Sequence, residues 1–264
     1  MTTGVDLVIL ALDEKRGTIR QGWQLAFALA AAEVVDLAVS RHIGAAANQD
    51  LKVNETLRTG DPLLDSALAA MSAEPAGHRV GGWVKRSARD RVDQYVDAML
   101  ASGELLGPAT TADGSSPARY SGLRIADPAR REALIDRLAT IATADDEVSL
   151  QAEAFAALAH VADISDHVLG LRHRQARRRL KDLAGWFADT TRYLPDFQGR
   201  TELGDEDLAA GDVNPAVEEP WRLAIRLAVE AAVVGVKESR ASSFSIGNLP
   251  PWFDEYSAYL GTPS

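Results

Sequence analysis

The chain is 264 residues long, with a mass of 28.3 kDa, and is 46% hydrophobic and 25% charged, the balance of a globular protein large enough to bury a core. It has no Cys, which excludes disulfides, thiolate zinc sites and a Cys nucleophile. A formal charge of −10 and a pI near 5.0 count against a uniformly basic nucleic-acid binder, though not against a local basic patch.

In chain order, Leu7–Leu12 is an apolar run read as an extended piece. Asp13–Gly17 follows as a polar turn, and Thr18-Ile19 closes a small hairpin. From Gln21 to His42 the pattern turns helical: Trp23, Phe27, Ala30, Val34, Leu37 and Arg41 recur at steps of three or four with Ala between them. Its only acids, Glu33 and Asp36, mark it as a mostly buried central helix. Asp61 and Pro62 form a capped start for the next helix. Val80–Ser102 reads as one long helix ended by Gly103. Gly107–Pro117 reads as a loop and Ala118–Ile125 as a short strand, so a second hairpin is expected there. Helices follow over Pro128–Ile141, Glu147–Ala162 and Leu171–Tyr193.

Beyond Tyr193 the composition changes. Asp196–Glu219 holds eight acids against one Arg and reads as a solvated linker. A last helix over about Ala216–Lys237 carries Trp221, Leu223, Ile225 and Leu227, too apolar to stay in water. The expected architecture is mainly α: a compact helical domain with one or two β-hairpins, residues 5–193, followed by an acidic linker and C-terminal helical extension, residues 194–264. The most apolar windows, Leu25–Val39 and Leu227–Val236, fall short of the roughly 18–20 residues a membrane span needs. Met1–Asp6 lacks the basic start of a secretory signal. A cytoplasmic protein, meeting a membrane only from its inner surface, is expected.

Motifs for catalysis are missing from the sequence. There is no G-x-S-x-G, no P-loop and no G-x-G-x-x-G, so no enzyme activity and no cofactor are expected. His160, Asp163 and His167 would share a helical face and are suitable metal ligands by type, but no fourth ligand can be named, and a capping role at the helix break is the plainer reading. Two basic clusters remain: Lys85-Arg86 with Arg89 and Arg91, and Arg172–Lys181 with six cations and no acid. Either is a solvated, ion-paired face or an anion site for lipid headgroups or nucleic-acid phosphates.

Several segments resemble the Golgi phosphoprotein 3 family. The most specific is Thr59-Gly-Asp-Pro-Leu-Leu-Asp-Ser-Ala-Leu68, similar to a TGDxLLDEAL signature. Asp36-Leu-Ala-Val-Ser-Arg-His-Ile43, Trp83, Arg89-Asp-Arg91 leading to Gly103-Glu-Leu105, and Leu158-Ala-His-Val-Ala-Asp-Ile164 match further family phrases. The resemblance covers about residues 5–193. It implies a helical fold with a projecting hairpin and peripheral membrane association through phosphatidylinositol 4-phosphate. Carried across, the pocket's Trp falls near Trp23 and one of its two later basic positions on Arg89. The first-helix Arg falls on Ala30 or Ala31, and the second later cation on Val92. Arg86, one turn from Arg89, is the candidate replacement.

The expected ligand-binding residues are therefore Trp23, Arg86 and Arg89, for an anionic phospholipid headgroup bound weakly or with altered specificity. Self-association through the hairpin of residues 107–125 is expected by the same resemblance. The alternatives are a winged-helix-like nucleic-acid binder, in which Arg89–Ser102 would be the recognition helix, and an interaction scaffold whose lipid site has decayed. Nucleic acid is the weaker candidate because of the acidic charge balance.

Overall fold

A computed structural model of the chain describes residues 2–20, 22–54, 57–74, 77–107, 121–144, 148–169, 174–189 and 219–244. Among them are ten helices and three two-stranded antiparallel sheets, a mainly α protein. The chain opens with helix α1 (Thr3–Ala11), then β1 (Leu12–Asp13) and β2 (Thr18–Ile19), which pair as the expected hairpin. The Leu7–Leu12 run expected as a strand is therefore mostly the second half of a helix. Every residue of α1 is buried, Thr3 and Asp6 included, so no exposed polar face marks out the cylinder. A short helix of that kind shows no 3.6-residue period to separate it from a buried strand. In the turn, Gly17 takes φ 62°, and the Gly122 backbone would lie 2.8 Å from any Cβ there.

Helix α2 (Trp23–Val39) is the expected central helix, buried continuously from Leu25 to Ala38. A further sheet, β3 (Ile43–Ala45) with β4 (Leu51–Val53), had no sequence signal, because strands of three residues carry too little alternation to register. Helix α3 (Pro62–Ala73) starts as its sequence dictates. The Asp61 carboxylate accepts from the Leu63 and Leu64 N–H groups at 2.9 and 3.2 Å, and Pro62 stands in the first turn. Asp65 reaches back to accept from the Thr59 N–H (2.6 Å) and hydroxyl (2.8 Å).

The long helix expected over Val80–Ser102 is broken. Its halves are α4 (Val80–Ser87) and α5 (Arg91–Ser102), joined by a turn at residues 88–90. Neither Pro nor Gly lies between Trp83 and Ser102, so the cause is tertiary. Arg91 is drawn to a carboxylate on α2, and the two halves then face the core separately with Val80, Trp83, Val84 and with Val92, Tyr95, Val96, Met99. Gly103 ends α5 in the left-handed region, φ 78°, as expected. The second hairpin is present at its base, where β5 (Leu105–Leu106) pairs with β6 (Arg124–Ile125). Its loop, residues 108–120, lies outside the described residues.

The remaining helices are α6 (Pro128–Thr143), α7 (Leu150–Val161), α8 (Ile164–Val168), α9 (Arg174–Phe187) and α10 (Pro220–Phe244). The acidic stretch of residues 196–218 lies outside the described residues. Helix α10 runs antiparallel along α2: Pro220 abuts Gly44 just past one end of α2, and Gly235 abuts Phe27 near the other. Small residues set the spacing. Ala28, Ala30, Ala31 and Ala32 of α2 are fully enclosed, as are Ala224, Ala228 and Ala232 of α10. Helix α4 lies beside α10, with Gly81 near Ala231 and Lys85 paired with Glu238.

Candidate functional site

The directions of these helices decide which groups meet. The start of α2, the end of α4 and the end of α10 lie together, because Phe27 touches Gly235 and Lys85 pairs with Glu238. Trp23 opens α2 at that end and Arg86 follows Lys85 on α4, while Arg89 lies in the turn beyond α4; no hydrogen bond, ion pair or ring contact joins Trp23 to either Arg among the described residues. Trp23 is half-buried and meets Phe27 edge-on, with centroids 6.4 Å apart and planes at 85°. It opens α2 behind Gly22, an extended residue with no side chain to cap the helix, and the first turn carries no acid. Among the described residues no side-chain cap is made to the N–H groups of that turn, which stand at the positive end of the helix dipole.

The cations at this end differ in their freedom. Lys85 donates to Glu238 at 2.8 Å. Arg86 donates to Glu74, whose carboxylate also lies 3.6 Å from His78. Arg89, exposed in the turn between α4 and α5, has no ion-pair partner among the described residues. The sequence reading missed Lys237 and Arg240, exposed near the end of α10. Nothing local could have placed them here, since their position depends on the antiparallel return of α10 along α2. Ala30 and Ala31 are fully enclosed and Val92 is buried, so the positions onto which the resemblance carries the other basic residues lie in the core.

Beneath the turn lies a buried polar layer. Glu33 on α2 is fully enclosed and sits 3.2 Å from Arg91, the first residue of α5. Burial pushes its carboxyl up to about 8 although Arg91 pulls the other way. One turn on, Asp36 accepts from the Thr3 N–H (2.7 Å) and hydroxyl (2.6 Å), serving as a remote cap for α1. Burial outweighs these bonds and holds it at about 6.

The other candidates fall elsewhere. Asp163 stands in the left-handed region (φ 59°) between α7 and α8, so His160 and His167 are not on one continuous helix. His160 meets the Ser165 hydroxyl at 3.3 Å, and burial lowers its pKa. Asp166 accepts from Arg177 at 2.5 Å, which holds its carboxyl below the usual range. Among the described residues no group of three or more His, Asp or Glu side chains is arranged to hold a metal. The second basic cluster is partly described: Arg178 and Lys181 are exposed on α9, and Arg178 lines a shallow cleft of about 360 Å³ with Thr143, Gln175 and Asp182.

Among the described residues no helix is long and apolar enough to cross a membrane. No curated protein matches the chain by sequence. The capped Thr59–Leu68 start of α3, the continuously buried α2 and the hairpin base after α5 sit inside a stretch, residues 4–220, that matches the family model for Golgi phosphoprotein 3 (GPP34), and the chain belongs to that family.

Proposed function

We propose that this protein is a non-enzymatic peripheral binding protein that takes an anionic phospholipid headgroup at the end of the bundle where α2 begins. What supports the reading is Arg89, an exposed cation without an ion-pair partner among the described residues, in the turn that follows α4, the helix whose Lys85 pairs with Glu238 of α10. Phosphate recognition uses charge-assisted bonds from several donors together. Arg89 supplies one and the first turn of α2 others. Arg86 joins them by exchanging Glu74 for the ligand, and Trp23 forms an apolar wall. Family membership makes phosphatidylinositol 4-phosphate the first headgroup to test. With Ala30, Ala31 and Val92 in the core, fewer cations are available, and affinity for it is expected to be modest.

The nucleic-acid alternative is weaker. The exposed side of α5 carries Gln94 and Asp97, and the half-buried Asp93 lies beside them, which would repel phosphates from the supposed recognition helix. Self-association fits the hairpin stem, where Leu106 is one of two large exposed hydrophobic residues among those described.

Liposome sedimentation of Arg89→Ala tests the site. Binding to vesicles containing phosphatidylinositol 4-phosphate should weaken several-fold with thermal stability unchanged. Unchanged binding would refute the assignment, and an equal loss of stability would make Arg89 a structural residue. Vesicles with phosphatidylglycerol at matched charge separate headgroup recognition from general anionic attraction.

A further inference from the structure

In the core around the start of α5, five buried polar atoms have no hydrogen-bond partner among the described residues: both carboxylate oxygens of Glu33, Nε of Arg91, the Tyr95 hydroxyl and the Trp83 indole N–H. Such groups are costly to bury and rarely kept without a role. Arg91 is the hub. Its Nε stands 3.2 Å from Glu33 Oε2, its Nη1 donates to Gln94 at 2.6 Å, and its guanidinium lies 5.9 Å from the Trp83 ring centroid. One cation thus touches α2, α4 and α5 where α4 ends and α5 begins, two residues after Arg89.

We propose that Glu33 and Arg91 are a positioning pair that couples anion binding at Arg89 to the charge carried by Glu33. The inference rests on the anion-binding reading above. With Glu33 neutral, the Arg91 charge adds to the positive field at the turn; with Glu33 ionised, the two cancel. The low dielectric around an enclosed pair lets this difference reach the surface less screened than a charge in water.

The surroundings of Glu33 favour a change of charge within the accessible pH range. The groups acting on it are Arg91 on α5, Asp36 on α2 and Asp61 at the start of α3. Tyr95 on α5 is held protonated, its hydroxyl pushed up by burial and by Glu33. From α1, Asp6 is tied to Arg130 and Arg137 and acts on Asp36, as does Gln151 of α7. The buried residues of α4, α7 and α10 are apolar apart from the Trp83 N–H. Helix α10 adds the half-buried Glu230, which its own burial raises to about 7, and the half-buried Arg226. The direction follows: as pH rises and Glu33 ionises, anion binding weakens, and a bound anion in turn shifts the Glu33 titration upward.

The test is vesicle binding from about pH 6 to about pH 9.5, using phosphatidylcholine doped with phosphatidylglycerol, whose headgroup charge is constant over that range. Wild type should lose about three- to tenfold in affinity, the effect of one charge acting over roughly 10 Å. E33Q should hold the low-pH affinity throughout, and E230Q should follow wild type. An E33Q profile parallel to wild type, or a flat E230Q profile, overturns the coupling while leaving the Arg89 site standing. Wild type that binds neither these vesicles nor vesicles doped with phosphatidylinositol 4-phosphate at any pH overturns both. Where E33Q does not fold, carboxyl NMR on the wild type replaces it. Sulfate should raise the Glu33 titration midpoint relative to chloride at equal ionic strength, and an unmoved midpoint overturns the proposal.

Discussion

Replacing Gly235 with Ala tests whether α10 belongs to the core that shapes the site. A Cβ at this position would lie 2.6 Å from Cε1, 2.8 Å from Cδ1 and 3.0 Å from Cζ of Phe27, the first two closer than real Cβ contacts come and the third at their tight limit. Phe27 is itself buried and holds Trp23 edge-on, so it cannot swing away without disturbing the start of α2. In an exposed helix, Gly→Ala stabilises by about 1 kcal/mol. Against that, overpacking a filled core costs about 1–3 kcal/mol. The net expectation is a loss of up to about 2 kcal/mol for Gly235→Ala, and more for Gly235→Val, whose branches also crowd the preceding turn. In a Phe27→Ala background the clash is gone, so the same Ala should stabilise by about 1 kcal/mol, giving a coupling of roughly 1–3 kcal/mol. Urea unfolding of the four proteins, followed by far-UV circular dichroism, measures the cycle, and each kcal/mol should also move Tm by about 2–4 °C. If Gly235→Ala stabilises both backgrounds equally, α10 does not rest on Phe27 and the packing argument is refuted.

Two further predictions follow from the buried layer and from α10. Glu33, Asp36 and Glu230 have folded-state pKa values raised to about 8, 6 and 7, so the native state holds more protons than the unfolded one above the ordinary carboxyl range. Their contribution to stability is complete below that range and is lost as pH rises through those values. Denaturant midpoints should therefore fall between about pH 5 and about pH 9, less so in Glu33→Gln, whereas a midpoint rising with pH would contradict the burial argument. A chain ending at Tyr193 should lack a cooperative unfolding transition, because removing α10 strips the cover from α2; a sharp melt with native-like helix content would show that the rest folds without it.

Much of the candidate site was legible because it rests on local chemistry. The cap at Asp61, the stop at Gly103 and the helical spacing from Trp23 to Val39 are written into adjacent residues, and each takes the form those residues dictate. Arg89, and Ala30, Ala31 and Val92 as positions without charge, came from the family resemblance carried onto this sequence. What could not be read was the state of each cation. The partners of Lys85 and Arg86, Glu238 and Glu74, lie on other helices, and nothing near Arg89 in sequence distinguishes a free guanidinium from a paired one.

By itself the sequence determined that the protein is helical, acidic and lacks Cys, where α2 and α3 begin, and which family it resembles. Those properties follow from composition, hydrophobic period and short-range hydrogen bonding, all of which act within a few residues. Tertiary structure alone decided that Leu7–Ala11 is helix, because full enclosure erases the period that would separate helix from strand. It also decided that the helix from Val80 breaks before Arg91, because a buried carboxylate on α2 draws that Arg inward more strongly than local propensity holds the helix straight. And it laid the second half of α10 beside the start of α2, with Gly235 against Phe27, because the enclosed Ala and Gly residues of the two helices let elements distant in sequence lie close together.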